Sequence, residues 1–295
     1  MSQLVSVIIP TYKRADMLCR AIDSALNQSY SNIEVIVVDD NNPNTDYRET
    51  TEKKVAAYKN DRRVKYIQHE KNRNGSAARN TGIKHSSGDY LCFLDDDDFF
   101  YRDKIEKQLQ QLQLVDDTDA CCCDYIKNSK PVIIEGKKDY SRDIFLLGNF
   151  PQTSGLLFTR KSIERLNGFD ESYVRHQDLE LLIRFFSEGY RMCKVDEILY
   201  ERDVAENSNV PDGKQFEDVK VKFLTQFEKE IDRIESEEPG FKKKVFAIHY
   251  ERLMKNYIKS FSLYDAGRLF MMAFLSSPVT FLKELGNEFV ERFNQ

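Results

Sequence analysis

An apolar segment that ends in four consecutive aspartates constrains this chain most. Tyr90–Leu94 has the composition of a buried strand, and Asp95–Asp98 follow it directly. Two like charges about 4 Å apart repel by roughly 1 kcal/mol in water and about 4 kcal/mol near a protein surface. The run therefore requires exposure, protonation or a cation. If the chain stays extended, the first and third aspartates share one face and the second and fourth share the other. Each pair offers the oxygen ligands that Mg²⁺ or Mn²⁺ prefers.

The first hundred residues alternate between strand-like and helix-like segments. Apolar or β-branched runs cover residues 4–10, 33–38, 64–68 and 90–94, and helix-like segments separate them. This order predicts an α/β fold with a mainly parallel sheet covered on both faces. Ligands bind at the carboxyl ends of the strands in such sheets. Residues 10–14, 39–40 and 95–98 are therefore expected at one edge, which favours a functional role for the aspartates over a solvated acidic turn.

The second half of the chain is more mixed. The spacing predicts a helix over 105–115, strands over 120–126, 132–134 and 155–159, and a helix that begins near Asp178. Taken alone, Asp178 is explained by its favourable interaction with the helix dipole. Residues 201–216 are polar and read as a loop. We therefore predict a main domain over 1–200, a linker over 201–216 and a helical region over 217–295.

Composition predicts a globular protein and argues against several other classes. With 295 residues, 41% of them hydrophobic, the chain can bury a sizeable core. The net charge of −5 gives no general case for nucleic-acid binding. Residues 1–4 lack the basic start of a signal peptide, and no segment has the roughly 18 uninterrupted apolar residues of a spanning helix. The six cysteines lack zinc-site spacing and indicate reduced core thiols of a cytosolic protein.

The C-terminal region combines apolar stripes with basic residues. Between Lys242 and Arg268 there are seven Lys or Arg and two Asp or Glu. A final helix is expected from Pro278, with Ser277 as its cap. Two interpretations stay open: the stripes pack on their own domain, or they lie on an anionic membrane. The stripe residues are Phe246, Tyr250, Leu253, Met254, Tyr257, Ile258 and Phe261, then Phe281, Leu282, Leu285, Phe289 and Phe293.

Five short motifs, together in one order and spacing, carry a family resemblance. They are residues 5–14 (VSVIIPTYKR), 37–40 (VVDD), 74–82 (NGSAARNTG), 93–98 (FLDDDD) and 176–178 (HQD). Residues 4–200 thereby resemble the bacterial family 2 glycosyltransferases. The resemblance implies the nucleotide-diphospho-sugar (GT-A) fold, followed here by a C-terminal helical extension.

The resemblance implies donor-binding roles for residues of the first three motifs. Pro10, Thr11, Tyr12 and Arg14 would bind the nucleotide-diphosphate sugar, with Thr11 and the Tyr12 ring at the base. Asp40 would accept the imino N–H of uracil, to which a carboxylate is suited. Arg79 would face the diphosphate.

The other two motifs imply the metal site and the base. Asp95 and Asp96 would bind the donor, and Asp95, Asp97 and Asp98 would hold Mn²⁺ or Mg²⁺, which neutralises the leaving group. Asp178 would be the general base that takes the acceptor's proton in a single inverting displacement. The expected donor is a UDP-sugar, and the expected acceptor is a glycan or lipid-linked glycan of polysaccharide biosynthesis at the inner membrane face.

Departures from the family pattern keep other functions open. Gln177 stands where the family commonly has Glu, Arg102 stands where it usually has Pro, and Asn41-Asn42-Pro43 replaces a Gly- or Ser-containing turn. One alternative is a non-catalytic subunit of the same fold that binds a partner enzyme or a membrane. Phosphoryl or nucleotidyl transfer is a further alternative, but the chain has no Gly-x-x-x-x-Gly-Lys-Ser/Thr loop.

Overall fold

The structure is a computed structural model that describes residues 3–203, 213–260 and 262–293, with side chains described up to residue 286. The chain divides into two compact units. The first unit consists of Met1–Tyr140 and Asn149–Ser208, and the second consists of Ser141–Gly148 and Asn209–Gln295.

The first unit is built on a nine-stranded sheet. Its strands are β1 (Val5–Thr11), β2 (Ile33–Asp39), β3 (Val64–Gln68), β4 (Tyr90–Phe93), β5 (Phe99–Phe100), β6 (Ala120–Lys127), β7 (Lys130–Val132), β8 (Leu157–Thr159) and β9 (Met192–Arg202). The strand order is β3-β2-β1-β4-β8-β6-β9-β5, and β7 pairs with β6. Strands β3, β2, β1 and β4 are mutually parallel, whereas β8 is antiparallel to both of its neighbours. The predicted mainly parallel sheet is confirmed.

Helices of the first unit connect these strands. They are α1 (Ala15–Leu26), α2 (Asp46–Val55), α3 (Gly75–His85), α4 (Lys104–Leu114), α6 (Arg160–Arg165) and α7 (Gln177–Ser187), with short 3₁₀ turns at Ala56–Tyr58 and Thr153–Gly155. All seven residues of β2 are buried, as expected for a strand covered on both faces. Helix α3 lies so close to β1 that a Cβ on Gly82 would stand 2.3 Å from Ile8 Cγ2. Glycine is therefore the residue that permits this helix–sheet distance.

Several segment boundaries differ from the sequence prediction. Strand β1 continues through Pro10 to Thr11, because its pairing with β4 ends at Ile8 and the proline pairs only with β2. The strand predicted over 132–134 lies at Lys130–Val132, and 155–159 divides into a 3₁₀ turn and β8. Strands β5 and β9 and helix α6 were not predicted.

Strand β9 also shortens the predicted linker. Residues 201–202 belong to β9, and residues 213–216 open a helix, so the predicted loop over 201–216 is wrong at both ends. Residues 204–212, which include Pro211, lie outside the described residues. The register between β6 and β9 shifts on both sides of Asp124, so that some residues of β9 have no partner in β6. These bulges break the period-2 pattern that identifies a strand in the sequence.

The second unit is helical. It contains α5 (Ser141–Phe145), α8 (Gly213–Gln226), α9 (Glu228–Glu237), α10 (Phe241–Lys259), α11 (Leu263–Ser276) and α12 (Pro278–Phe293). The sequence gives no signal that 141–148 belongs with these helices. Phe145 packs edge-on against Phe227 and Phe241, at ring-centroid distances of 6.4 Å. The predicted start of the last helix at Pro278 is confirmed.

The predicted stripe of α10 is mostly core. Leu253, Met254 and Tyr257 are buried in a cluster with residues of α11 and α12, and Phe246 and Tyr250 are half-buried, whereas Ile258 is exposed. This stripe therefore packs on its own unit. Phe261 and the side chains of Phe289 and Phe293 lie outside the described residues.

Candidate active site

Segments that follow four parallel strands of the first unit supply many of the site residues. Strands β1, β2 and β4 run parallel, with Thr11 beside Asp39 at their carboxyl ends. The segments after these strands therefore lie at the same edge of the sheet. Strand β3 belongs to the same parallel set and ends just before His69.

The acidic loop turns instead of staying extended. The backbone N–H of Asp98 donates to the carbonyl of Asp95 at 3.0 Å, which closes a turn through the two aspartates between them. The expected alternation of faces is therefore wrong. One carboxylate oxygen each from Asp95, Asp97 and Asp98 lies within 4.8 Å of the others. Asp96 points away from this group.

Asp96 fastens the acidic loop to the end of β1. It accepts from Thr11 Oγ1 at 2.8 Å and from the Tyr12 backbone N–H at 3.4 Å, and Arg14 Nε lies 3.0 Å from its second oxygen. Burial is the main cause that raises the pKa of Asp96 to about 7. The side chain is 1% exposed. It was expected to bind the donor, but in this arrangement it offers almost no surface to one.

Burial, neighbouring carboxylates and nearby arginines shift the pKa values of the other three aspartates. Burial, with the neighbouring charge of Asp95, raises the pKa of Asp97, and the same two causes raise the pKa of Asp98 well above its usual range. Burial also acts to raise the pKa of Asp95, but Arg79 and other nearby arginines outweigh it and leave this pKa lowered. Asp97 and Asp98 therefore hold a proton more readily than Asp95 does.

Side chains that the sequence did not flag hold the acidic loop in place. Ser154 Oγ donates to Asp98 at 2.5 Å and accepts from the Asp95 backbone N–H at 3.2 Å. The backbone N–H of Asp203 donates to the other oxygen of Asp98 at 3.2 Å. Arg202 lies close enough for Asp98 to raise its pKa against the effect of burial. Arg202 was missed because its strand was missed, and Ser154 lies in a 3₁₀ turn with no sequence signal.

The three convergent aspartates fit a divalent cation. Three carboxylates form a hard oxygen donor set of the kind that Mg²⁺ and Mn²⁺ select. The raised pKa values of Asp97 and Asp98 show that their ionised forms are disfavoured. A bound cation would stabilise those ionised forms. Arg14 and Arg79 bond one oxygen of Asp97 and of Asp95 respectively. Asp95, Asp97 and Asp98 are therefore the residues that would hold the metal.

Asp40 does not have the free oxygen that was expected to accept from a base. It is 3% exposed and receives four hydrogen bonds from within the described residues. The donors are His69 Nδ1 at 2.7 Å, Asn72 Nδ2 at 2.8 Å and the backbone N–H groups of Arg73 at 2.8 Å and Asn74 at 3.0 Å. A carboxylate has about four acceptor positions, and all are used. Asp40 here shapes the loop that leads into α3.

Two tyrosines and a lysine offer a surface for a base at the same edge. Lys13 Nζ lies 4.9 Å from the centre of the Tyr12 ring and 5.5 Å from that of the Tyr47 ring. Lys13 has a positive φ of 61°. Tyr47, at the start of α2, is half exposed and was not predicted as a site residue. Stacking of Tyr12 on a base stays a prediction, and Pro10 lies within β1.

Arg79 joins the acidic loop to the start of α7. Its Nη2 donates to Asp95 Oδ1 at 2.5 Å and its Nη1 donates to Gln177 Oε1 at 2.8 Å. Gln177 in turn donates to the Tyr173 carbonyl at 3.1 Å. This bridge links the acidic loop to the start of α7, where Asp178 follows Gln177 in the chain. The guanidinium also lies 5.4 Å from the centre of the Phe169 ring, which helps to fix its plane.

Asp178 lies in the first turn of α7 and is only partly buried. Among the described residues it accepts one hydrogen bond, from the Leu179 backbone N–H at 3.0 Å. No donor to its second oxygen is found among the described residues. Burial lowers the pKa of nearby Arg175, and the charge of Asp178 acts in the opposite direction. A partly exposed carboxylate is chemically able to take a proton from a hydroxyl.

The sheet is mainly parallel, an acidic loop follows β4, and a carboxylate lies at the start of α7. These are the features of the class of nucleotide-sugar transferases. Residues 6–180 match the family described as Glycosyl transferase family 2. Because this match covers more than half of the chain, the protein belongs to that family. It has the GT-A fold with a C-terminal helical extension.

Curated relatives are bacterial glycosyltransferases. The amylovoran biosynthesis glycosyltransferase AmsB of Erwinia amylovora is 28% identical over 64% of this chain and 66% of its own length. The UDP-Glc:alpha-D-GlcNAc-diphosphoundecaprenol beta-1,3-glucosyltransferase WfgD of Escherichia coli is 36% identical over 37% of this chain and 41% of its own length. An uncharacterized glycosyltransferase of Rickettsia conorii is 46% identical over 37% of this chain, and the match spans only 17% of that protein.

Two solved structures share the fold at low sequence identity. TarS 1-349 of S. aureus in complex with UDP-GlcNAc is 18% identical, with a TM-score of 0.63 over 90% of each chain. The mannosyltransferase PcManGT of Pyrobaculum calidifontis, in complex with GDP-Man and Mn²⁺, is 17% identical, with a TM-score of 0.55 over 94% of this chain and 72% of that one.

Proposed function

We propose that this protein is an inverting glycosyltransferase that moves a sugar from a UDP-sugar to a hydroxyl of a glycan or lipid-linked glycan during polysaccharide biosynthesis. The bridge of Arg79 between Asp95 and Gln177 carries the proposal. It connects the residues that suit a diphosphate and its cation to the residue that suits a general base. Family membership and the uses named for AmsB and WfgD support the same conclusion.

The reaction that this arrangement suits is a single displacement. The acceptor oxygen forms a bond to the anomeric carbon while the bond from that carbon to the phosphate oxygen breaks. Asp178 takes the acceptor's proton through the oxygen that Leu179 leaves available. The bonding pair leaves with the nucleoside diphosphate. Attack opposite the leaving group inverts the anomeric configuration.

The remaining site residues bind and orient the donor. Asp95, Asp97 and Asp98 would hold a Mn²⁺ or Mg²⁺ ion, which when bound supplies positive charge to the diphosphate. Tyr12 stacks on the base. Because both oxygens of Asp40 are taken by protein donors, uracil recognition is assigned to other groups of this edge. The UDP-GlcNAc complex of TarS supports a uridine donor.

A donor screen tests the proposed function. Purified full-length protein is incubated with UDP-, dTDP- and GDP-sugars in the presence of Mn²⁺, and release of nucleoside diphosphate is measured. Slow hydrolysis of one UDP-sugar is expected, since water can replace the acceptor. Hydrolysis of GDP-sugars alone would contradict the uridine assignment. No hydrolysis of any donor would favour a non-catalytic subunit of the same fold.

A further inference from the structure

One face of the second unit is apolar and lies outside its core. Ala266, Leu269, Ala273 and Phe281 are buried against α10. The opposite side of the same helices is exposed, and we call it the α11–α12 face. Its residues are Leu263, Tyr264, Phe270, Met271, Phe274, Leu275, Val279 and Leu282. The helices therefore carry apolar side chains on both sides, although the core uses only one.

The polar content of this segment favours lipid over a protein partner. Residues 269–282 contain no Asp, Glu, Lys, Arg, His, Asn or Gln. A protein interface of useful size makes about one hydrogen bond per 100–200 Å², and this segment offers only three hydroxyl groups for that purpose. Ser276 Oγ donates to the Met272 carbonyl at 2.7 Å, and Ser277 Oγ donates to Thr280 Oγ1 at 2.8 Å. These hydroxyls are already used within the segment.

Two backbone hydrogen bonds lie at the break between α11 and α12. The Ser277 N–H donates to the Ala273 carbonyl at 3.2 Å, and the Phe281 N–H donates to the Ser277 carbonyl at 2.9 Å. Internal pairing of this kind is what contact with hydrocarbon requires, because lipid tails offer no hydrogen bonds. Two backbone donors at the junction between α11 and α12 therefore meet that requirement.

The geometry suits insertion into one leaflet. Among the described residues no single helix is long and apolar enough to cross a membrane. Leu263–Ser276 and Pro278–Gly286 reach that composition together, but they are bent by 119°. Lys283 follows the apolar segment directly, Lys259 precedes α11, and both lysines are exposed. Long cationic side chains at such boundaries can extend to lipid phosphates while their stems stay in apolar surroundings.

We propose that the α11–α12 face inserts into one leaflet of a membrane that contains anionic lipid and holds the protein at that surface. The contact surface is thus α11 with the start of α12, and not the stripe of α10, which is core. The same contact would hold the protein at the inner face of the cell membrane, where a lipid-linked acceptor is presented. The inference rests on the second unit alone and does not depend on the proposed reaction.

Tryptophan probes test the insertion directly, because the chain contains no tryptophan of its own. Leu275→Trp places a fluorophore on the α11–α12 face, where Leu275 is 73% exposed. Leu114→Trp is the matched control, since Leu114 is 78% exposed in the first unit. Each full-length variant is mixed with vesicles of phosphatidylcholine and phosphatidylglycerol, with and without bromine on the acyl chains. The proposal predicts that brominated lipid quenches the fluorescence of the Leu275→Trp variant and leaves that of the control unchanged.

A charge substitution supplies the second arm. Leu275→Glu should weaken co-flotation with the same vesicles about tenfold or more, because it replaces a leucine that would insert into lipid with a charged side chain. Leu114→Glu should float like the wild type. Thermal unfolding of both variants checks that the fold is kept. An unquenched Leu275→Trp variant would overturn the proposal. So would a wild-type dimer that Leu275→Glu converts to a monomer without any lipid binding, since the face would then join two copies of the chain.

Discussion

Replacing Arg79 by lysine should reduce activity while leaving the charge in place. The guanidinium donates simultaneously to Asp95 at 2.5 Å and to Gln177 at 2.8 Å. Lysine has a single ammonium group on a flexible stem and cannot reproduce this planar two-armed contact. Loss of one hydrogen bond to a charged group corresponds to about 1.5–3 kcal/mol. If that loss is felt in the transition state, kcat/KM falls about 10- to 150-fold.

The assay is steady-state release of nucleoside diphosphate, with urea unfolding of each variant as a measure of stability. Arg63→Lys is the matched control, because Arg63 also makes a two-armed contact, with Asp61, at 2.7 and 3.1 Å, but away from the acidic loop. Gln177→Leu removes one arm of the Arg79 bridge from the other side. The free-energy loss calculated from kcat/KM should be smaller for the double variant than the sum for the two single variants, because both substitutions remove the same contact. Wild-type kcat/KM in Arg79→Lys would refute the role of the bridge.

Three further predictions concern the metal site and the stability of the first unit. Asp97→Asn should weaken UDP binding in the presence of Mn²⁺, and calorimetry that gives equal affinity with and without metal would argue against a metal site. Hydrogen bonds, chiefly from Lys65, overcome burial and lower the pKa of Glu34. The wild type should therefore have a higher free energy of unfolding than Glu34→Gln at neutral pH, and this difference should shrink as the pH falls through and below about 4.3. A pH-independent difference in urea unfolding would contradict this. Gly82→Ala should destabilise by about 1–3 kcal/mol, because its Cβ would overlap Ile8, and an unchanged melting temperature would show that the helix can shift.

Local patterns predict much of the first unit. Strands β1 to β4 and the helices between them follow from the apolar patterns of their own segments. Strand β9 did not follow, because its bulges opposite Asp124 are set by pairing with a distant strand. The inclusion of residues 141–148 in the helical unit likewise depends on tertiary packing around Phe145.

In the candidate site, too, local sequence predicts some features and tertiary contacts determine the others. The sequence predicts which carboxylates gather at the sheet edge, but the pairing of the aspartates depends on a turn that an extended chain would not make. The role of Asp40 depends on donors supplied by His69 and the loop at 72–74. Ser154 and Arg202 reach the acidic loop through the fold alone. No spacing in the sequence encodes those contacts.

The general base is the most direct test of the account. Turnover of the identified donor and its binding affinity are measured for Asp178→Asn and for Asp196→Asn, whose carboxylate is 90% exposed in the same unit. The account predicts that Asp178→Asn binds the donor like the wild type but turns over about 10²–10⁴-fold more slowly, whereas Asp196→Asn is unchanged. Wild-type turnover in Asp178→Asn would contradict the central claim that this carboxylate takes the acceptor's proton.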